Sequence, residues 1–259
     1  MKNYFKIFKK ISKRNSKLYL IKNEPFTQIL FCKISYLITP FFIIFKFSPN
    51  IVTFINFLLS LVSVIFISLG DKNYLLLGII IYLFYRIIDF CDGSVARYHG
   101  RSSFYGRYID AMGDIFYNGF LIISLGVYCY KVYGSSTILI LSSVTAIAST
   151  ISHFTYDKYA ALARWSNSQN RVQVTPYIRK SFSPRLGFIY LDLITACILI
   201  LPFVKNNENR FIGLICFLFF SFLVVAIQTS LIHLNSAYKN LNIKAEDKTF
   251  KKRKRKKSR

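Results

Sequence analysis

The sequence predicts an all-α integral-membrane protein: a six-transmembrane-helix bundle with an N-terminal amphipathic interfacial helix. Three observations predict it. Hydrophobic residues fill 53% of the 259 positions, with 26 Phe and 18 Tyr, yet the formal net charge is +24. Apolar stretches near the roughly 20 residues that a helix needs to cross a bilayer recur along the chain. The polar segments between them alternate between short, nearly neutral turns and strongly basic stretches, the pattern of a positive-inside membrane protein.

Three segments follow from this reading. Residues 1–47 form a basic arm and an interfacial helix, 48–238 a six-span membrane domain, and 239–259 a basic tail. In the arm, Phe5, Phe8 and Ile11 recur among Lys6, Lys9, Lys10, Lys13 and Arg14. That spacing fits a basic amphipathic helix on anionic lipid, and its polarity fits a solvated arm equally. The arm has no continuous apolar core or small-residue cleavage site, so it does not read as a secretory signal. Phe26 to Phe47 is apolar but interrupted by Lys33, Pro40 and Lys46, which predicts a helix lying in the interface.

The six predicted spans run from Asn50 to Leu69, Tyr74 to Phe90, Phe104 to Tyr130, Ser136 to Tyr156, Phe188 to Val204 and Phe211 to Leu234. Turns at Asp71–Asn73, Lys131–Ser135 and Lys205–Arg210 share one side. The other side collects the arm, Arg97–Arg107, Lys158–Arg185 and Lys239–Arg259, which together hold nearly all the Lys and Arg. Positive charge marks the cytoplasmic side, so both termini are expected there. The Lys251–Arg259 run also fits a nucleic-acid patch, but beside a membrane span an anionic-lipid tether is more economical. No nucleic-acid partner is expected. Five scattered cysteines without a CxxC spacing read as small apolar fillers.

The chemistry concentrates between Asp89 and Asp114. Half of the eight Asp of the chain stand there, as Asp89, Asp92, Asp110 and Asp114. Spacings of three and four put each pair on one helix face. Two neighbouring helices joined by a short loop can aim all four carboxylates at one place. Such a cluster must protonate, spread or bind cations. Divalent metal is the expected answer, since carboxylate oxygens suit hard ions such as Mg²⁺ or Mn²⁺ and a metal there would grip a diphosphate. Gly93, Ala96 and Gly106 clear space beside the carboxylates, and Arg97 offers a forked cation at the same mouth.

Asp89-x2-Asp92-Gly93-x2-Ala96-Arg97-x8-Gly106-x3-Asp110-x3-Asp114 resembles the signature of the CDP-alcohol phosphotransferase family, with no departure at its eight fixed positions. The six-span layout and the amphipathic lead-in resemble that family as well. Ser48-Pro49-Asn50-Ile51-Val52-Thr53 is similar to its entry to the first span. The resemblance implies a phosphatidyltransferase that moves a substituted phosphate from a CDP-linked lipid, CDP-diacylglycerol foremost, to an acceptor hydroxyl with release of CMP, in phospholipid biosynthesis. It implies metal binding by Asp89, Asp92 and Asp110, and general-base action by Asp114, which would also touch a second metal. It places Gly93, Ala96 and Gly106 against the CDP portion, Asn50 and Thr53 near the cytosine, and Arg97 near the diphosphate. It further implies a homodimer and an active site facing the cytoplasm.

The acceptor is less legible. Lys158, Arg164, Arg171, Arg179, Lys180 and Arg185 suit an anionic acceptor, and positive-inside topology accounts for them equally well. Ala163-Arg164-Trp165-Ser166-Asn167 resembles a stretch in the serine-using members only loosely. Glycerol phosphate, inositol phosphate, serine, an amino alcohol and another lipid all stay open. Asp192, inside the fifth predicted span, is expected to pair with Arg86 or to shape the acceptor pocket. His153 and His233 are expected to be hydrogen-bonded interior residues. An ion-coupled transporter would place its carboxylates near mid-bilayer on broken helices, and a lipid-binding scaffold needs no four of them. A member of the family with another CDP-linked donor is the remaining alternative.

Overall fold

In the computed structural model, residues 2–17, 26–100, 104–168, 195–204 and 207–241 are described, and among them all regular structure is helical. The helices are α1 (Lys2–Lys17), α2 (Phe26–Ile44), α3 (Pro49–Ser68), α4 (Lys72–His99), α5 (Phe104–Tyr133), α6 (Ser136–Ser168), α7 (Thr195–Val204) and α8 (Glu208–Leu241). Six of them are long and apolar enough to cross a membrane: α2, α3 and α4 whole, and α5, α6 and α8 over Tyr108–Tyr133, Ser136–Leu162 and Glu208–Tyr238. The protein is an integral membrane protein built as a helical bundle.

The set of six differs from the expected one at two places. Helix α2, expected to lie in the interface, has the length and composition of a span. Lys33 and Pro40 do not interrupt it. The Thr39 hydroxyl donates to Ser35 O at 2.7 Å, and the helix continues past Pro40 to Ile44. It closes where Lys46 adopts a left-handed φ of 58° and Phe47 N–H returns to Phe42 O at 2.9 Å, a helix-terminating turn. The fifth predicted span is described only as α7, ten apolar residues from Thr195 to Val204. Its earlier part, with Asp192, lies outside the described residues.

The arm packs onto the bundle. Ile11 is buried with Tyr36, Phe42, Ile43, Val52, Cys91 and Val95, which ties α1 and α2 to α3 and to the far half of α4. Tyr4 OH donates to Leu37 O, and the Lys10 ammonium sits 4.7 Å above the Tyr98 ring. Of the two readings of the arm, the amphipathic helix is the one the fold adopts over residues 2–17.

Helices α3 and α4 form an antiparallel pair. Ser48 caps α3 by accepting from Ile51 N at 3.3 Å, with Pro49 in the first turn. Asp71 caps α4 by accepting from Asn73 N at 2.6 Å and Tyr74 N at 3.3 Å. Their axes meet closely at Gly78, whose carbonyl accepts from Ser63 Oγ at 2.9 Å. Lys131, at the end of α5, donates to Ser68 O at 2.8 Å and secures the intervening turn. The 28 residues of α4 span about 42 Å at 1.5 Å per residue, longer than the roughly 30 Å hydrocarbon core. That length lets one end protrude, and the end carrying Asp89 to Arg97 has the polar residues to do so. Gly100, with φ of 67°, closes that end by donating to Ala96 and Arg97 carbonyls.

Helices α5 and α6 approach through a small-residue contact. A Cβ placed on Gly126 would lie 2.6 Å from Ser142 Cβ, well inside van der Waals contact. Gly126→Ala is expected to destabilise the bundle by about 1–3 kcal/mol, the usual cost of overpacking, read as a lower melting temperature in detergent. Adding Ser142→Gly should restore most of the loss. The five cysteines are all free. His233 departs from expectation: it is buried, but its Nδ1 has no hydrogen-bond partner. Aromatic contact holds it instead, with the Tyr156 and Tyr159 rings at 5.1 and 6.0 Å.

Candidate active site

The site assembles where α3, α4 and α5 come together at the motif end. Asn50, Thr53, Asn56 and Ser60 recur at three- and four-residue spacing along α3, which places them on one helix face. Tyr85, Asp89 and Asp92 make the corresponding face of α4, and Asp110, Gly113 and Asp114 that of α5. A cavity of about 610 Å³ opens between the three helices. Its polar lining includes Asn50, Thr53, Asn56, Ser60, Tyr85, Asp89, Asp110 and Asp114, and its apolar wall includes Phe54, Phe57, Tyr105, Tyr108 and Phe116.

Three of the four carboxylates rest on neutral donors. Asn56 Nδ2 donates to Asp89 Oδ1 at 3.2 Å. Thr53 Oγ1 donates to Asp92 Oδ2 at 2.8 Å, and Gly93 N–H donates to the other oxygen of Asp92. Tyr85 OH donates to Asp114 Oδ1 at 2.8 Å. Each bond spreads negative charge onto a dipole, one of the ways a carboxylate cluster becomes tolerable away from water. Among the described residues, no three His, Cys, Asp or Glu side chains are grouped as a ready metal-binding set. The four motif carboxylates thus share a neighbourhood without converging on one point.

The cavity gathers Asn50, Thr53, Asp89, Asp110 and Asp114 from the residues singled out in the sequence, and leaves others outside its lining. Asp92 is buried, with both oxygens engaged by Thr53 and Gly93. Arg97 folds back along its own helix, donating from Nη2 to Ser94 Oγ at 3.2 Å. Its Nη1 lies 3.1 Å from where a Gly93 Cβ would stand. Gly93 therefore gives room to this guanidinium, and the expected open face for a substrate is covered by Arg97 at that point. Ala96 and Gly106 are half-buried and also outside the lining. Lys158 is exposed on α6. The Arg164 side chain and Arg171, Arg179, Lys180 and Arg185 lie outside the described residues.

Among the lining residues that the sequence did not point to, two bond to motif carboxylates. Asn56 and Tyr85 each hold a motif carboxylate, and each had a signal: Asn56 continues the polar stripe from Asn50 and Thr53, and Tyr85 stands four residues before Asp89. The donor chemistry suits a hard divalent ion. All the candidate ligands are oxygens, and Asn56 Oδ1 is a further buried oxygen without a hydrogen-bond partner.

Comparison with known proteins agrees with this architecture. No curated protein matches the sequence. The crystal structure of Mycobacterium tuberculosis phosphatidylinositol phosphate synthase (PgsA1) with CDP-DAG bound superposes with a TM-score of 0.62 at 14% identity, covering 83% of this chain and 98% of that one. At that identity the likeness is one of fold. The family model for CDP-alcohol phosphatidyltransferases matches residues 46–180, which contain every helix of the cavity and the whole aspartate motif. That match takes in more than half of the 259 residues, and the chain belongs to the CDP-alcohol phosphatidyltransferase family.

Proposed function

We propose that the protein transfers the phosphatidyl group of CDP-diacylglycerol to an acceptor hydroxyl, releasing CMP, in phospholipid synthesis. The observation that carries this reading is the two-sided cavity. Asp89, Asp110 and Asp114 line one part of it, while Phe54, Phe57 and Phe116 line another and are 59%, 38% and 49% exposed on the helix surfaces. A polar pocket with an apolar wall open to the bilayer suits a lipid with a charged diphosphate head. The related synthase that shares the fold has CDP-DAG bound.

In the reaction, Asp114 takes the proton of the acceptor hydroxyl through one carboxylate oxygen. The acceptor oxygen then forms a bond to the phosphorus nearer the diacylglycerol, and the bond from that phosphorus to CMP breaks. CMP leaves with the electron pair. A divalent ion held by Asp89, Asp92 and Asp110, with Asp114 near enough to touch a second, would neutralise the diphosphate and make CMP a better leaving group. Asn50 and Thr53, which line the cavity at the start of α3, would meet the cytosine. Gly93, Ala96, Arg97 and Gly106 belong to the CDP side of the site, and Arg97 would reach the diphosphate by swinging off Ser94. Lys158, Arg164, Arg171 and Arg179 would meet an anionic acceptor. The site faces the cytoplasm, with both termini on that side, and the enzyme acts as a homodimer.

The test is CMP release by purified full-length protein in detergent, with CDP-diacylglycerol, Mn²⁺ or Mg²⁺, and a pool of polar acceptors. CMP that appears only with acceptor is the expected result, and splitting the pool names the alcohol. A folded, metal-binding protein that releases no CMP from any pool would overturn the donor assignment.

A further inference from the structure

Tyr85 lies outside the aspartate motif, yet it touches the carboxylate assigned the proton transfer. It is 3% exposed, and its hydroxyl crosses from α4 to α5 to reach Asp114 Oδ1 at 2.8 Å. The ring is held as firmly as the hydroxyl. Tyr117, three residues after Asp114 on the same face of α5, packs against it with ring centroids 4.1 Å apart and planes at 44°. Tyr82 stacks on Tyr117 in turn, at 6.1 Å and 17°. A buried aromatic stack therefore fixes where the phenol points, and the phenol fixes one oxygen of Asp114.

We propose that Tyr85 is a positioning residue for phosphatidyl transfer: its hydroxyl holds Asp114 Oδ1 so that the other oxygen faces the acceptor hydroxyl in the cavity. The proposal rests on the assignment of Asp114 as the base. An aspartate has two side-chain torsions, and an untethered carboxylate visits several orientations. Only those that point an oxygen at the acceptor are productive. Tethering one oxygen through a residue that cannot itself rotate removes that search. The bond comes from a neutral phenol, so the carboxylate stays available as a base without an ion pair to break.

The test compares three variants of the full-length protein in the CMP-release assay: Tyr85→Phe, Tyr117→Phe and Asp114→Asn. Tyr85→Phe keeps the ring and its packing and removes only the hydroxyl. Its kcat should fall roughly ten- to hundredfold, with the KM for CDP-diacylglycerol within about twofold and Mn²⁺ affinity and melting temperature unchanged. Tyr117→Phe removes a phenol from the same stack that makes no hydrogen bond to Asp114, and it should keep its kcat. Unchanged or faster turnover in Tyr85→Phe, an equal fall in Tyr117→Phe, or a fall explained by lost Mn²⁺ binding would each overturn the positioning role. If Asp114→Asn is inactive while Tyr85→Phe is fully active, the positioning role fails and the base assignment stands. If Asp114→Asn keeps full turnover, the base assignment fails and the role proposed for Tyr85 fails with it.

Discussion

Asp114→Asn should lower acceptor-dependent CMP release by about 10²- to 10⁴-fold, the usual contribution of a positioned general base. The substitution keeps the shape of the side chain, and the amide oxygen can still accept the bond that Tyr85 OH makes at 2.8 Å. What it removes is the capacity to take a proton. The loss should therefore appear in kcat, with the KM for CDP-diacylglycerol little changed and helix content intact. A variant in which KM rises while kcat holds would place Asp114 in donor binding instead of proton transfer. Asp114 lines the cavity on the face of α5 opposite Asp89 of α4, so a substrate between the two helices would lie against both.

Chelation should have an equally large effect. Turnover is expected to vanish in EDTA and to return when Mn²⁺ or Mg²⁺ is added in excess, because carboxylates repel a diphosphate and only a bound cation can offset the charge of both. Asp89→Asn and Asp110→Asn should each raise the Mn²⁺ concentration needed for half-maximal rate by at least about tenfold. Direct Mn²⁺ titration by electron paramagnetic resonance would check the same shift without reference to turnover. Asp89 and Asp92 rest on Asn56 and Thr53, and no three such groups form a ready set among the described residues. Asn56 and Thr53 each take only part of the acceptor capacity of their carboxylate, so both can hold these side chains while a metal binds. Full turnover in EDTA, with no bound metal detected, would remove the metal from the mechanism.

Much of the protein was legible in its sequence. Hydropathy located α3, α4, α5, α6 and α8, because an apolar run of sufficient length has few alternatives to a spanning helix. The spacing of Asp89, Asp92, Asp110 and Asp114 placed them at facing ends of α4 and α5, since three- and four-residue spacing is a property of any helix. Helix α2 was harder to read: Lys33, Pro40 and Lys46 looked like interruptions, but the helix runs through the first two and ends at the turn that Lys46 makes.

Other features depended on how one helix sits against another. Ile11 gained its place through contact with α2, α3 and α4, which no pattern within the arm encodes. Asp92 turned toward Thr53 and out of the cavity lining, while Asp89 and Asp114 turned into it, although all four carboxylates share one motif. Tyr85 stands in an apolar span, and only the packing of α5 against α4 brings Asp114 to within 2.8 Å of its hydroxyl. The sequence by itself determined which segments are helices and which residues share a face, because both follow from local hydropathy and the helical repeat. Only the tertiary structure decided which carboxylate meets which donor. Those partners come from other helix turns, and their meeting depends on the crossing, rotation and closeness of helices set by packing at positions such as Gly78 and Gly126.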